Sequence, residues 1–158
     1  MTKRQRQTYR LFGKILFILY IAFLVYFLIF SERYGREPGN GSYQYNLVPF
    51  QEIRRFWEYR GQLGFLASFT NLFGNVLIFI PFGFFFPMAS RSRSLVLTVF
   101  LSFMLSLAVE MGQFVTQVGC FDIDDLLLNT FGGLIGYLLY ALSHRVGVIR
   151  HRRRNRER

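Results

Sequence analysis

Glu110 stands inside an otherwise apolar run, where a carboxyl group is either neutralised by a partner or present to act. Other residues able to do chemistry lie near its stretch of chain or on neighbouring apolar stretches. Asn71 and Asn75 are four apart, Ser102, Ser106, Gln113 and Gln117 share a stripe with Glu110, and Asp122, Asp124 and Asp125 precede Asn129. Acids and amides of this kind can hold a polar ligand, or a carboxylate such as Glu110 or Asp125 can serve as a general base. They could also offer oxygen ligands to Mg2+ or Ca2+, but no recognisable loop spacing supports a metal, and no cofactor is expected. The bland reading of Glu110 is a packing group hydrogen-bonded by Gln113, Asn71 or Asn75. That of Asp124 and Asp125 is a helix start, where acids are favoured by free amide groups and the helix dipole. Arg54, Arg55 and Arg60 could bind the phosphate or carboxylate of a ligand, or simply pair with Glu52 and Glu58. No nucleophile is evident: Cys120 has no histidine near it in sequence, and neither a disulfide nor zinc-like spacing is available to it.

The elements that must position these residues are membrane spans. The chain is 52% hydrophobic and 19% aromatic, more apolar surface than a soluble core of 158 residues usually needs. Uncharged stretches run from Ile15 to Ser31, Gly61 to Ser90, Ser94 to Val109 and Leu126 to His144. Crossing the hydrocarbon layer takes roughly 20 apolar residues, and the third stretch reaches that length by continuing past Glu110 to about Val118. The first segment has a basic start, as a signal peptide would, but no small-residue cleavage site follows Phe30, so an uncleaved anchor is expected. Pro81 cannot donate to the Leu77 carbonyl and should loosen or kink the second span, and Pro87 should help to end it. Gly132 and Gly136 leave a groove in the fourth span into which another helix can pack. Between the first two spans, Ile53, Phe56, Trp57 and Leu63 recur near helical spacing against charged neighbours, which predicts a short helix in the outer interface.

Charge predicts the orientation. Fourteen of the nineteen Lys and Arg fall in the start, the loop with Arg91 and Arg93, and the tail from Arg145. By the positive-inside rule these segments face the cytoplasm, leaving Glu32 to Arg60 and the loop around Gly119 outside. The tail His151-Arg152-Arg153-Arg154-Asn155-Arg156 is read as a topology and lipid-headgroup signal, not a nucleic-acid patch. In this topology Asn71 and Asn75, Glu110, and Asp125 with Asn129 share the outer leaflet. Hydrocarbon's cost for unpartnered polar groups should turn them towards one another.

The sequence resembles the VanZ-like family of bacterial membrane proteins. The resemblance rests on Asn46-Leu47-Val48-Pro49-Phe50, on Asn71-Leu72-Phe73-Gly74-Asn75 with Phe79-Ile80-Pro81-Phe82-Gly83, on Glu110-Met111-Gly112-Gln113, and on Phe121-Asp122-Ile123-Asp124-Asp125 leading through Asn129-Thr130-Phe131-Gly132-Gly133 to Gly136-Tyr137. These blocks cover about 46 to 137. The resemblance implies membrane residence and, for some members, lowered sensitivity to teicoplanin, a lipid-bearing glycopeptide acting at the outer face. Family members often carry an arginine just before the Phe-Asp-x-Asp-Asp block, where this chain has Gly119-Cys120; Arg54, Arg55 or Arg60 would have to replace it.

Together these readings predict an all-α membrane protein with four transmembrane helices, an external interfacial helix between the first and second, and both termini inside. A single domain over 1–158, with a basic start (1–14) and a basic tail (145–158), is expected in the bacterial cell membrane among membrane lipids. The preferred function is non-enzymatic: binding or exclusion of a lipid-like ligand, such as a lipoglycopeptide or a lipid-linked cell-wall precursor, by Asn71, Asn75, Glu110, Gln113, Asp122, Asp125, Asn129, Arg54 and Arg55. The alternative is an enzyme acting on a lipid-linked substrate with Glu110 or Asp125 as acid-base groups. Transport ranks last, because the ionisable groups gather near one leaflet.

Overall fold

A computed structural model describes residues 3–31, 45–59, 65–116 and 121–156. The elements are α1 (Lys3–Ser31), β1 (Tyr45–Asn46), α2 (Gln51–Tyr59), α3 (Phe65–Ala89), α4 (Leu95–Thr116), β2 (Phe121–Asp122) and α5 (Ile123–Arg156). Four helices are long and apolar enough to cross a membrane, over Gln7–Phe27, Leu72–Ala89, Leu95–Val115 and Ile123–Val146. Apolar side chains such as Leu24, Phe79 and Phe82 are buried between the helices, but so are polar ones, while many large apolar side chains are exposed. Leu19, Phe23, Leu77, Phe100, Val115 and Leu142 face outwards, whereas Thr98, Ser102, Ser106, Glu110 and Asn129 are buried. Lipid tails offer no penalty to apolar side chains and no partners to polar ones, so the polar side chains turn inwards.

Helix directions follow from the contacts. Tyr20 of α1 donates its hydroxyl to the Ile78 carbonyl of α3 at 2.8 Å, and Phe17 packs on Phe82 and Phe86, so α1 and α3 run antiparallel. Between α4 and α5, Asn129 meets Ser106 while Gly133 lies against Ser102, again an antiparallel pair. The pair α3 and α5 runs parallel: Gly132 lies against the Val76 carbonyl, and Gly136 one turn on against that of Ile80. The start of α1 and the end of α5 therefore lie at one end of the bundle, where Gly13 touches Met88 and Arg93 touches His144.

The helical run of α3 continues through both Pro81 and Pro87 to Ala89. Neighbouring helices can re-satisfy backbone groups near a membrane proline. Here the Tyr20 hydroxyl donates to the carbonyl of Ile78, which follows the Leu77 carbonyl that Pro81 cannot serve.

Glycine is required where α3 meets α5. A Cβ on Gly83 would lie 2.0 Å from the Gly133 carbonyl oxygen, one on Gly132 2.2 Å from that of Val76, and one on Gly136 2.1 Å from that of Ile80. Backbone cannot yield as a flexible side chain does. Gly136→Ala is expected to destabilise the protein by about 1–3 kcal/mol through overpacking. Gly74→Ala and Gly112→Ala, where a Cβ meets nothing within 4 Å, should be neutral or stabilising by up to about 1 kcal/mol. Thermal unfolding of the three variants in detergent checks this, and an equal loss in all three would refute the packing argument.

Candidate functional site

The site forms where the segment after β1 meets the beginning of α5. β1 and β2 pair in parallel, with Tyr45 opposite Phe121 and Asn46 opposite Asp122. The side-chain amide of Asn46 donates to both carboxylate oxygens of Asp122, at 3.1 and 3.2 Å. Asp122 Oδ1 also accepts the backbone N–H of Asp124 at 2.8 Å, which makes Asp122 the N-cap of α5. Glu110, only 2% exposed, accepts the Asp122 N–H at 3.1 Å. One residue thus links three elements.

Asp124, also 2% exposed, accepts the N–H of Phe50 at 2.5 Å. Phe50 has φ 66°, a left-handed conformation that costs a bulky side chain energy. Its carbonyl accepts the Arg54 N–H at 3.0 Å and so opens α2, while its N–H is tied to α5. Asn46 Oδ1 stiffens the intervening turn by accepting the Val48 N–H at 3.1 Å. From this anchored start, α2 packs against α3 through Phe56, whose ring lies 6.3 Å from that of Phe69 and 6.2 Å from that of Phe73.

Deeper, the amide of Asn75 donates to Asp125, joining α3 to α5, and that of Asn129 donates to Ser106 Oγ at 2.9 Å, joining α5 to α4. Four carboxyl groups therefore gather at one end of the bundle. Their repulsion is offset by hydrogen-bond donors: two side-chain amides, three backbone N–H groups and the positive end of the α5 dipole. Such a cluster can hold a polar group of a ligand by exchanging donors and acceptors with it.

A model of the VanZ/LLP1 family matches residues 17–144, a span containing every one of these contacts. The chain belongs to the VanZ/LLP1 family. Protein VanZ of Enterococcus faecium is 30% identical over 139 residues, spanning 84% of this chain and 78% of that protein. No solved structure matches the chain.

Several VanZ-family residues singled out in the sequence come together here: Asn75, Glu110, Asp122, Asp125 and Asn129. The buried stripe of α4 is Thr98, Ser102, Ser106 and Glu110, and Gln113 is half-buried one turn beyond it. Asp125 and Asn129 are successive turns of one face, yet they bond to α3 and α4 respectively, because α5 packs between those helices. Arg54 is exposed and bonds Glu58 at 2.7 Å, a contact that raises its pKa first through the hydrogen bond and then through charge, so it remains a cation. Arg55 is exposed on the same helix. The side chain of Asn71 and residues Arg60, Gln117 and Cys120 lie outside the described residues.

Sequence reasoning quoted Asn46 and Phe50 only within the family resemblance and gave them no contact, and for Asp124 it offered a helix start or, with its neighbours, oxygen ligands to a metal. The alternation in Phe121-Asp122-Ile123-Asp124 was the available signal, since it separates a capping acid from a second one that must face elsewhere. Removing the three Asn46 side-chain bonds with Asn46→Ala should cost about 1.5–3 kcal/mol, the range for hydrogen bonds to a charged acceptor. It should also speed hydrogen exchange at the Val48 and Phe50 amides. Unchanged exchange there would mean that the turn does not depend on Asn46.

Proposed function

We propose that this protein binds or excludes a lipid-like ligand at the outer leaflet of the bacterial cell membrane, and so lowers susceptibility to teicoplanin-type lipoglycopeptides. The observation that carries this reading is an apolar strip fastened to the carboxylate cluster. Tyr45, Leu47, Val48, Phe50, Ile53 and Trp57 are all exposed outside the candidate spans, and their backbone is held by Asn46, Asp122 and Asp124. An acyl chain has somewhere to lie, with polar groups directly beside it. Asn71, Asn75, Glu110, Gln113, Asp122, Asp125 and Asn129 would receive the polar part of the ligand, with Arg54 and Arg55 at its edge. Family membership supports the reading, as does the 30% identity to Protein VanZ of Enterococcus faecium.

In this account α2 lies in the outer interface, where an aromatic such as Trp57 is well accommodated. The whole chain acts as one membrane domain with both termini cytoplasmic. Support for that orientation comes from the distribution of Lys and Arg, which crowd the end of the bundle shared by the start of α1 and the end of α5. A Cys120→Ser background with one new cysteine at Ser42 or at Asn155 tests it in intact cells. An impermeant maleimide should label the cysteine at 42 and spare the one at 155; the reverse pattern would invert the topology.

A second reading, an enzyme for a lipid-linked substrate with Glu110 or Asp125 as acid-base group, is favoured by one observation: Glu110 is almost fully buried and bonded to the Asp122 N–H beside the other acids of the cluster. The two readings diverge in a susceptible host. Expression should raise the teicoplanin concentration needed to stop growth, with less effect on a glycopeptide lacking the acyl chain. Glu110→Gln keeps an acceptor for the Asp122 N–H, so folding and abundance should persist while protection is abolished. Unchanged protection would return Glu110 to a packing role. Mass spectrometry of ligand recovered from purified protein separates binding, which leaves it intact, from turnover.

A further inference from the structure

The end of the bundle opposite the carboxylates has its own concentration of polar groups. Arg93 lies in the link between α3 and α4, and that link is tightly held. Ser90 N–H donates to the Phe86 carbonyl at 2.8 Å, Ser92 N–H to Ser90 Oγ at 3.1 Å, and Leu97 N–H to Ser94 Oγ at 3.3 Å. The Arg93 carbonyl accepts the Tyr137 hydroxyl of α5 at 2.7 Å. Its guanidinium is therefore presented from a fixed backbone, and Arg93 Nη1 lies 2.8 Å from His144 Nε2. A guanidinium only donates, so Nε2 must be the acceptor and the ring's proton sits on Nδ1, leaving a second N–H donor beside the cation.

Two tyrosines complete the group. Tyr140 is 2% exposed, and its buried hydroxyl has no hydrogen-bond partner among the described residues. Its ring packs against Tyr137 and His144, and its hydroxyl lies within electrostatic range of Arg93, Tyr9, Tyr137 and Arg10. Tyr9, half-buried on α1, is likewise within range of Arg93. Among the described residues these donors and cations have no counter-charge at this end: there is no Asp or Glu in α1, from Phe65 to Val109, or from Leu126 to Arg156. A buried hydroxyl left unpaired is costly, and a guanidinium held in place, as that of Arg93 is, matches phosphate oxygens.

We propose that Arg93, Arg10, His144, Tyr9 and Tyr140 form a phosphate-binding site at the basic end of the bundle. The phosphate comes from the headgroup of an anionic lipid or from solution, and basic pockets between membrane helices are suited to the former. This site is distant from the carboxylate cluster and does not depend on the function proposed for it.

The test uses the full chain reconstituted in nanodiscs of phosphatidylcholine, with and without phosphatidylglycerol, and separately with inorganic phosphate added to the phosphatidylcholine sample. Thermal stability and lipid retained in native mass spectrometry are the readouts. Phosphatidylglycerol should raise the Tm and be retained, whereas a rise with inorganic phosphate assigns the site to the free ion. Arg93→Gln should weaken binding of the effective anion about tenfold, the loss expected for charge-assisted hydrogen bonds, and Arg91→Gln on the same link should not. Tyr140→Phe guards against a folding artefact. With no hydrogen-bond partner among the described residues to lose, it should keep or raise the Tm in phosphatidylcholine alone while still weakening anion binding. The proposal is overturned if neither anion stabilises the protein, or if Arg91→Gln and Arg93→Gln weaken binding equally, which would mean diffuse surface attraction.

Discussion

Contact between the backbones of α3 and α5 governs the rest of the molecule. Gly83, Gly132 and Gly136 allow the two helices to approach until one backbone touches the other, and a parallel pair in that register brings their first halves to the same end. Asn75 then reaches Asp125, and the start of α5 comes within range of Glu110 on α4. Lipid supplies no hydrophobic force to bring helices together, so close packing of small residues and hydrogen bonds between helices must do it. The glycines and the amide-acid pairs are therefore parts of one device, in which the first sets the distance that the second requires.

The same constraint accounts for the polar interior. An amide or hydroxyl facing hydrocarbon would cost several kcal/mol, so Ser102, Ser106 and Asn129 occupy the seam between α4 and α5. Thr98 and Ser102 return their hydroxyls to carbonyls one turn back, at 2.9 Å each, and Ser106 instead accepts from Asn129. Only at the mouth of α5, where helix ends leave backbone groups open, does the seam become acidic.

The parts legible in the sequence were those governed by local periodicity and solvent. Four apolar runs predicted four helices of membrane-spanning length, the run from Phe50 predicted a short amphipathic helix, and Gly132 with Gly136 predicted a packing groove. The meeting of Asn75 with Asp125 was also foreseeable, because cost drives both inwards. Illegible were contacts between residues far apart in sequence that leave no local pattern. Asn46 and Asp122 are 76 positions apart, and nothing in a two-residue strand announces its partner. Positive φ at Phe50 is still less readable, since glycine or asparagine is the usual signal and neither stands there. The division of Asp125 and Asn129 between α3 and α4 depends on where α5 sits between its neighbours, which no single-helix projection contains.

Phe50 also bears on whether the carboxylates are structural or functional. A bulky residue at φ 66° costs of order 1–3 kcal/mol and persists only where its surroundings insist on it. Asp124 and the start of α2 supply that insistence, gripping the Phe50 N–H on one side and using its carbonyl on the other. With its backbone so gripped, Phe50 leaves its ring exposed, as Val48 and Ile53 also are. A buried carboxylate therefore determines how an exposed apolar strip is presented, although it need never touch what the strip meets. For this cluster the two roles are not alternatives, because the hydrogen bonds that complete the fold also shape the exposed surface.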